Sequence, residues 1–343
     1  MRFIDAFLLV VMLESGRIIL RPVHALLALS SRYRYRARVA YDGTNFQGFQ
    51  IQQGSKRRTV QGEVEQVLSQ RLNEAVRVVA TVCLRRVGVQ TACLSRKSHS
   101  LHLIMSLCVN FADAGVHARG QAVHFDCNQD LSDHDLQQVQ ASVEKMLPTD
   151  VALWNLQPVP PPVTKAIKGR VMEKDWSVMY DSTHKLYSYR LSVGPAMDPL
   201  ERHYRWHPDR VHHWFDETTF ARLLSYYEGS HDFRAFASDV EKLEKRLGGP
   251  VDTTRTVYSV KITQEGGRGN LRIDFSLKGA LYKQVRNMVG TALNVLQGRI
   301  SEDYFRQLIS NNGKFARHDN RSKPAPPQGL TLEHVYFSDD DSF

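Results

Sequence analysis

The sequence predicts an α+β fold built from two similar halves, and three observations carry that expectation. Apolar residues alternate at period two in several short runs, as in strands with one packed face. Between those runs lie stretches with apolar residues at helical spacing and capping residues at their starts. The same grammar of strands and helices then recurs in the second half of the chain.

Tyr33–Tyr41 sets Tyr33, Tyr35, Ala37, Val39 and Tyr41 on one face and Arg34, Arg36, Arg38 and Ala40 on the other. This is a strand with a packed face and a basic face, and a charged strand face is ordinarily solvated. Asp42–Asn45 turns the chain, and Thr59–Leu72 reads as a helix with Thr59 as N-cap and Val60, Val64, Val67, Leu68 and Leu72 as its apolar stripe. Arg77–Val82 is a short strand. Cys83–Phe111 shows no clear periodicity, and so long a structureless stretch is uncommon inside a compact domain. It reads either as a true insertion or as untranslated sequence retained in a gene structure, such as an unspliced intron.

Ala112–Asp126 puts Asp113 on a glycine-punctuated loop that feeds a strand through Val123 and Phe125. Leu131–Leu147 is a helix capped by Ser132 or Asp133 and stopped by Pro148, and Val151–Leu156 is a strand. The prolines of Pro158–Pro162 open a linker. Strands then follow at Lys185–Val193, Val257–Ile262, Leu271–Leu277 and Leu330–Phe337, with helices at Asp216–Tyr227, Val285–Leu296 and Glu302–Ile309. Each half has the pattern of a ferredoxin-like unit. Two such units side by side would form one continuous, mainly antiparallel sheet with helices on one side and a basic cleft across it. The expected divisions are an N-terminal extension, 1–32; a catalytic half, 33–157, with the atypical insertion 83–111; a linker, 158–180; a second half, 181–337; and an acidic tail, 338–343.

With 343 residues, 42% of them hydrophobic, the chain can bury a sizeable core, which excludes global disorder. Lys+Arg 45 against Asp+Glu 36 gives +9, a balance that favours a polyanionic partner, nucleic acid above all, or an acidic membrane surface. Cys83, Cys93, Cys108 and Cys127 form neither a CxxC pair nor a zinc spacing, so a disulfide framework is not expected. No apolar run approaches the roughly 18–20 residues of a membrane span. The apolar run Ala6–Leu13, followed by Arg17 and Arg21, reads as a signal-peptide core, an organellar transit segment or a misassigned start. A transit segment would direct the protein to the mitochondrion or chloroplast; without one, cytoplasm or nucleus is expected.

Asp113, Gly115, His117, Arg119 and Gly120 place a carboxylate between basic side chains on a loop held by a strand, a common way to hold catalytic groups. Most Asp-Ala-Gly triplets are only turns. The surrounding blocks add specificity. Tyr41-Asp42-Gly43-Thr44-Asn45-Phe46-Gln47-Gly48-Phe49-Gln50, Thr59-Val60-Gln61-Gly62-Glu63 and Asp113-Ala114-Gly115-Val116-His117-Ala118 resemble successive blocks of the TruA-type tRNA pseudouridine synthases. Gly229-Ser230-His231-Asp232-Phe233, Tyr282-Lys283-Gln284-Val285-Arg286-Asn287-Met288-Val289-Gly290 and Ala325-Pro326-Pro327-Gln328-Gly329-Leu330 resemble the remaining blocks, in the same order. The resemblance covers about residues 33–337, excepting Cys83–Phe111.

That resemblance implies isomerisation of uridine to pseudouridine in the anticodon stem-loop of tRNA, around positions 38–40, by a homodimer that uses no cofactor and no metal. It implies Asp113 as the catalytic carboxylate, acting as a nucleophile or as the base that moves a sugar proton. Arg286 is implied as its guanidinium partner, which would lower the carboxyl pKa and hold its geometry; on residue type alone it would be an arginine snorkelling from an apolar helix. Tyr187, in Lys185-Leu186-Tyr187-Ser188-Tyr189, falls at the family's functional tyrosine, although a strand tyrosine is more often core. Arg119 and Arg38 are further candidates for contact with RNA, His117 and His124 read as structural or RNA-facing residues, and Phe233 reads as packing.

Two departures stand out. Phe111-Ala112 occupies the place of the family's Arg-Thr, so Phe111 is expected as an apolar wedge in base flipping, or flipping is impaired. Met179 stands where the family usually has Arg. The alternatives to an active synthase are a catalytically impaired relative that still binds tRNA, or a non-enzymatic RNA-binding module using Arg34, Arg36 and Arg38.

Overall fold

The computed structural model describes residues 9–14, 17–22, 32–52, 54–55, 57–81, 113–167, 170–267, 269–310 and 312–338. The atypical segment 83–111, with Phe111, Cys83, Cys93 and Cys108, lies outside the described residues, as do most of the expected extension and the tail beyond residue 338. Strands β1 (Leu9–Glu14) and β2 (Arg17–Pro22) pair as an antiparallel ribbon of their own.

The first half runs β3 (Tyr33–Tyr41), α1 (Val60–Leu72), β4 (Val78–Ala80), β5 (His117–Cys127), α2 (Asp133–Met146) and β6 (Val151–Pro158). Its helices begin where the sequence supplies caps. Thr59 Oγ1 accepts from the Gly62 N–H at 3.3 Å, and Ser132 and Asp135 form a reciprocal capping box. Such a cap stabilises a helix by about 1 kcal/mol. The apolar stripes of α1 and of α2 (Leu136, Val139, Val143) are buried in one core with Ala37, Val39 and Phe125 of the sheet.

A ribbon of β7 (Val163–Ile167) and β8 (Arg170–Lys174) lies within the stretch expected as a linker. The second half then runs β9 (Ser182–Ser192), α3 (Val211–Trp214), α4 (Glu217–Ser225), β10 (Gly229–Asp232), α5 (Val240–Leu247), β11 (Thr254–Gln264), β12 (Asn270–Leu277), α6 (Gln284–Leu296), α7 (Glu302–Ile309) and β13 (Leu330–Phe337). A second core gathers Phe220, Leu223, Tyr227, Phe233, Phe275, Met288 and Phe305 beneath it.

Among the described residues, one sheet has nine strands, in the order β10-β11-β12-β9-β13-β5-β3-β6 with β4 paired to β5. The order β6-β3-β5-β4 and the order β13-β9-β12-β11 are the same path, so the halves are two ferredoxin-like units in a single sheet. Every pairing is antiparallel except at the seam, where β13 runs parallel to β5 through Thr331↔His117 and Leu332↔Ala118. This seam positions the site. The loop entering β5 must cross between the halves, and that loop carries Asp113.

The basic face of β3 departs from expectation. It is covered, because Trp176 and Val178 of the expected linker fold back over it and join the first core. The Arg34 guanidinium donates to the Trp176 carbonyl at 2.9 Å and pairs with Asp126, while that of Arg36 lies 5.2 Å from the Trp176 ring.

Candidate active site

Asp113 opens the turn before β5, and its carbonyl accepts from the Val116 N–H at 3.1 Å. Gly115 sits at φ +79, where glycine carries no Cβ penalty, and a side chain there would press on Pro327. The loop is thus pinned between the two halves. Opposite it, α6 starts after Lys283, whose left-handed backbone (φ 59) costs a non-glycine residue on the order of 1–2 kcal/mol. That tight entry presents Arg286, in the first turn of α6, to Asp113.

The Arg286 guanidinium pairs with Asp113 Oδ2 through one terminal nitrogen and donates through Nε to the Ala325 carbonyl at 2.6 Å. Ala325 returns its N–H to the Arg286 carbonyl at 2.9 Å. Four residues along α6, Gly290 allows this close approach, since a Cβ there would lie 2.3 Å from the Lys323 carbonyl oxygen. The same loop is held from β9, where the Tyr189 hydroxyl donates to the Pro326 carbonyl at 2.8 Å.

Asp113 is only 9% exposed. Burial raises its pKa, against the Arg286 charge and hydrogen bond and the weaker pull of Lys283 and Tyr282; burial prevails, and the carboxyl titrates above its ordinary value. Its Oδ1 has no hydrogen-bond partner among the described residues, which leaves one carboxylate oxygen for chemistry. The Tyr282 phenol is pushed up to about 12 by burial and by the Asp113 charge.

Asp113, Tyr187, Tyr41 and Phe49 line one cavity between the halves, together with Tyr282, Lys283 and Leu332. Tyr187 reaches it by register: Leu332 of β13 pairs with Tyr187 on one side and with Ala118 of β5 on the other. The arrangement joins a clamped carboxylate, an aromatic ring and a largely apolar enclosure, which suits chemistry on a nucleotide taken out of its stack.

The remaining candidates separate. Arg119 is open, its side chain 71% exposed with Glu333 3.4 Å away. Arg38, expected to touch RNA, is instead fully buried and donates to the Val335 carbonyl at 2.7 Å, because β3 is an inner strand covered on both faces. For His117 the structural reading fits its surroundings. It is buried, its Nδ1 accepts from the Gly43 N–H at 3.1 Å, and its Nε2 donates to the His203 carbonyl at 2.9 Å, which fixes a neutral tautomer that ties the halves together. Phe233 is fully buried among Tyr227 and Phe236. Tyr282, Lys283 and Lys185 were not singled out from the sequence, although all three stand in the blocks that carried Arg286 and Tyr187. Among the described residues no group of three or more His, Cys, Asp or Glu side chains is placed to hold a metal ion.

A family profile described as tRNA pseudouridine synthase matches residues 223–338. The chain is 30% identical over 308 residues to tRNA pseudouridine synthase A of Lactococcus lactis subsp. cremoris (strain SK11), covering 89% of this chain and 97% of that one. This chain belongs to the tRNA pseudouridine synthase A family. A second relative, tRNA pseudouridine synthase A 1 of Protochlamydia amoebophila, is 29% identical over 89% of this chain and 97% of its own length. A third, tRNA pseudouridine synthase A of Geobacillus kaustophilus, is 30% identical over 90% of this chain and 95% of its own. The family therefore spans both halves and the seam that carries Asp113.

Proposed function

We propose that this chain isomerises uridine to pseudouridine in tRNA, in the anticodon stem-loop around positions 38–40, with Asp113 as the catalytic carboxylate. The observation that carries this reading is buried Asp113, paired with Arg286, on the wall of a cavity that Tyr187 also lines. The reaction breaks the N1–C1′ bond, turns the uracil without releasing it, joins C5 to C1′ and exchanges the C5 proton for one on N1. Asp113 acts at the sugar, as nucleophile on C1′ or as base on the C2′ proton. Arg286 holds the carboxylate in place and ionised, and Tyr187 stacks on the extruded ring. Arg119, exposed near the seam, meets the RNA backbone. The full carboxylate–guanidinium pair favours an active enzyme over a relative that only binds tRNA.

We further take the working unit to be a homodimer, with residues 33–157 and 181–337 as its two halves. The test is conversion of a transcribed tRNA by purified protein, read by mapping pseudouridine base by base. Uridine in the anticodon stem-loop is converted by wild type and not by Asp113→Ala, which retains tRNA binding. Conversion by Asp113→Ala would overturn the assignment. Light scattering of the same preparation tests the dimer, and a mass of one chain would refute it.

A further inference from the structure

Two residues before Tyr187 on the same face of β9, Lys185 lines the cavity that holds Asp113. It is 3% exposed, and its Nζ donates to the Thr81 carbonyl at 3.4 Å, across the join between the halves. Beside it the Gln121 amide donates to Thr81 Oγ1 at 2.6 Å and to the Ala122 carbonyl at 3.0 Å. Lys185, Gln121 and Thr81 thus form a polar patch in a cavity otherwise walled mainly by Tyr41, Phe49, Leu281 and Leu332. An ammonium in such surroundings is expensive to hold, and it acts most strongly on charge that develops inside the same low-dielectric space.

We propose that the Lys185 ammonium is a further catalytic group: it donates to a carbonyl oxygen of the extruded uracil and stabilises the negative charge the ring acquires as the glycosidic bond breaks. This rests on the functional reading above. When N1–C1′ cleaves, the electron pair goes to N1 and spreads onto the ring carbonyls. C1′ is satisfied either by a bond to Asp113 or by loss of the C2′ proton to Asp113, and Lys185 keeps its own protons in both routes. When C5 bonds to C1′ the ring charge is discharged, as the Asp113–C1′ bond breaks or Asp113 returns its proton to C2′; a proton then leaves C5 and one is gained at N1, so the product is an isomer of the substrate. A donor fixed where an anion forms needs no reorganisation during the reaction. Lys283, half-buried on the same cavity, is the better placed of the two for a backbone phosphate.

Lys185→Met removes the charge and keeps most of the volume. At saturating enzyme its single-turnover conversion of tRNA falls by about 10²-fold, the loss typical of one removed charge-stabilising donor. Its Kd for tRNA, read by fluorescence anisotropy, stays near wild type, and Lys185→Arg recovers part of the rate. A wild-type rate for Lys185→Met would overturn the proposal. So would a fall in affinity that accounts for the whole loss, which would make Lys185 a strut or a phosphate contact. If circular dichroism shows Lys185→Met unfolded, Lys185→Gln, which keeps a donor for Thr81, replaces it under the same criteria. A wild-type protein that converts no uridine would sink the functional reading and this proposal together; an active wild type beside an equally active Lys185→Met sinks this proposal alone.

Discussion

Arg286 serves two partners at once, giving Nε to the Ala325 carbonyl at 2.6 Å and a terminal nitrogen to Asp113 Oδ2. A planar guanidinium does this because its donors point along fixed, divergent directions; an ammonium is a point charge without that fork. Arg286→Lys therefore keeps the charge and loses the geometry, and the single-turnover rate is expected to fall by about 10²-fold or more. Arg286→Ala leaves a buried carboxylate without its partner, a loss of about 3–5 kcal/mol in urea unfolding. If Arg286→Lys were as fast as wild type, charge alone would be sufficient and the Ala325 anchor irrelevant.

The pH dependence follows from the same pair. In the role proposed for it Asp113 acts as the ionised carboxylate, and burial raises its pKa despite Arg286. The acid limb of the rate profile is thus expected above the ordinary carboxylate range, and Arg286→Lys, with its charge less well placed, moves it higher still. The effect on stability has the opposite sense from an ordinary salt-bridged acid. A raised folded-state pKa means that ionised Asp113 costs stability above that pKa, and the cost fades as pH falls through it towards the unfolded value. Rate measurements on the anticodon stem-loop between acid and neutral pH check the limb, and a limb at the ordinary carboxylate value would refute it.

Much of this architecture is legible in the sequence because local signals agree with it. The runs at Tyr33–Tyr41, Glu302–Ile309 and Leu330–Phe337 form elements with those bounds, and Thr59, Ser132 and Asp216 cap the helices they precede. What the sequence hides is tertiary. Arg36 and Arg38 alternate like a solvated face, yet Trp176, some 140 residues away in the chain, closes over that face, and no local pattern encodes such a cover. His117 reads as either structural or RNA-facing, for want of any local signal that Gly43 and His203 will bracket its ring. Elements of only four residues, β10 and α3, are too short to show a period.

Tyr187 separates stacking from proton transfer. Its ring lines the cavity and its neighbours across the sheet are Phe275 and Leu332. Tyr187→Phe retains the stacking face, and its single-turnover rate stays near wild type if the ring alone matters. Tyr187→Ala removes the face, at a cost of about 1–3 kcal/mol in transition-state stabilisation, the range for one base on an aromatic side chain. Equal losses in both variants would assign the role to the hydroxyl instead.

Two buried histidines set an acid limit on folding. Burial is the main cause that lowers both, with His124 brought to about 4 and His117 below the usual 6.5. Each is neutral when folded but takes a proton when unfolded below about pH 6.5, so the stability they provide is complete above that pH and is lost as pH falls toward the folded values. For His124 the loss is on the order of 3 kcal/mol, at 1.36 kcal/mol per pH unit. Thermal midpoints measured from pH 7 to pH 4 should decline accordingly, and His124→Gln should flatten the slope. An unchanged slope in that variant would contradict the assignment.

Gly43 tests how finely the Asp113 loop is placed. A Cβ at this position would lie 2.0 Å from the Val116 carbonyl oxygen and 2.6 Å from its carbon, both backbone atoms that cannot rotate away. Val116 is hydrogen-bonded through its N–H to the Asp113 carbonyl, so any retreat of Val116 is passed to the Asp113 loop. Gly43→Ala is therefore expected to cost activity beyond what its stability loss explains, since a displacement near 1 Å lowers rates by about 10²-fold. Gly267→Ala, in the turn between β11 and β12 where a Cβ meets nothing within 4 Å, serves as the neutral control. Single-turnover rates below the melting transition of both variants decide the matter: a Gly43→Ala enzyme that is folded and fully active would show that the loop tolerates movement, and that the clamp on Asp113 alone sets its position.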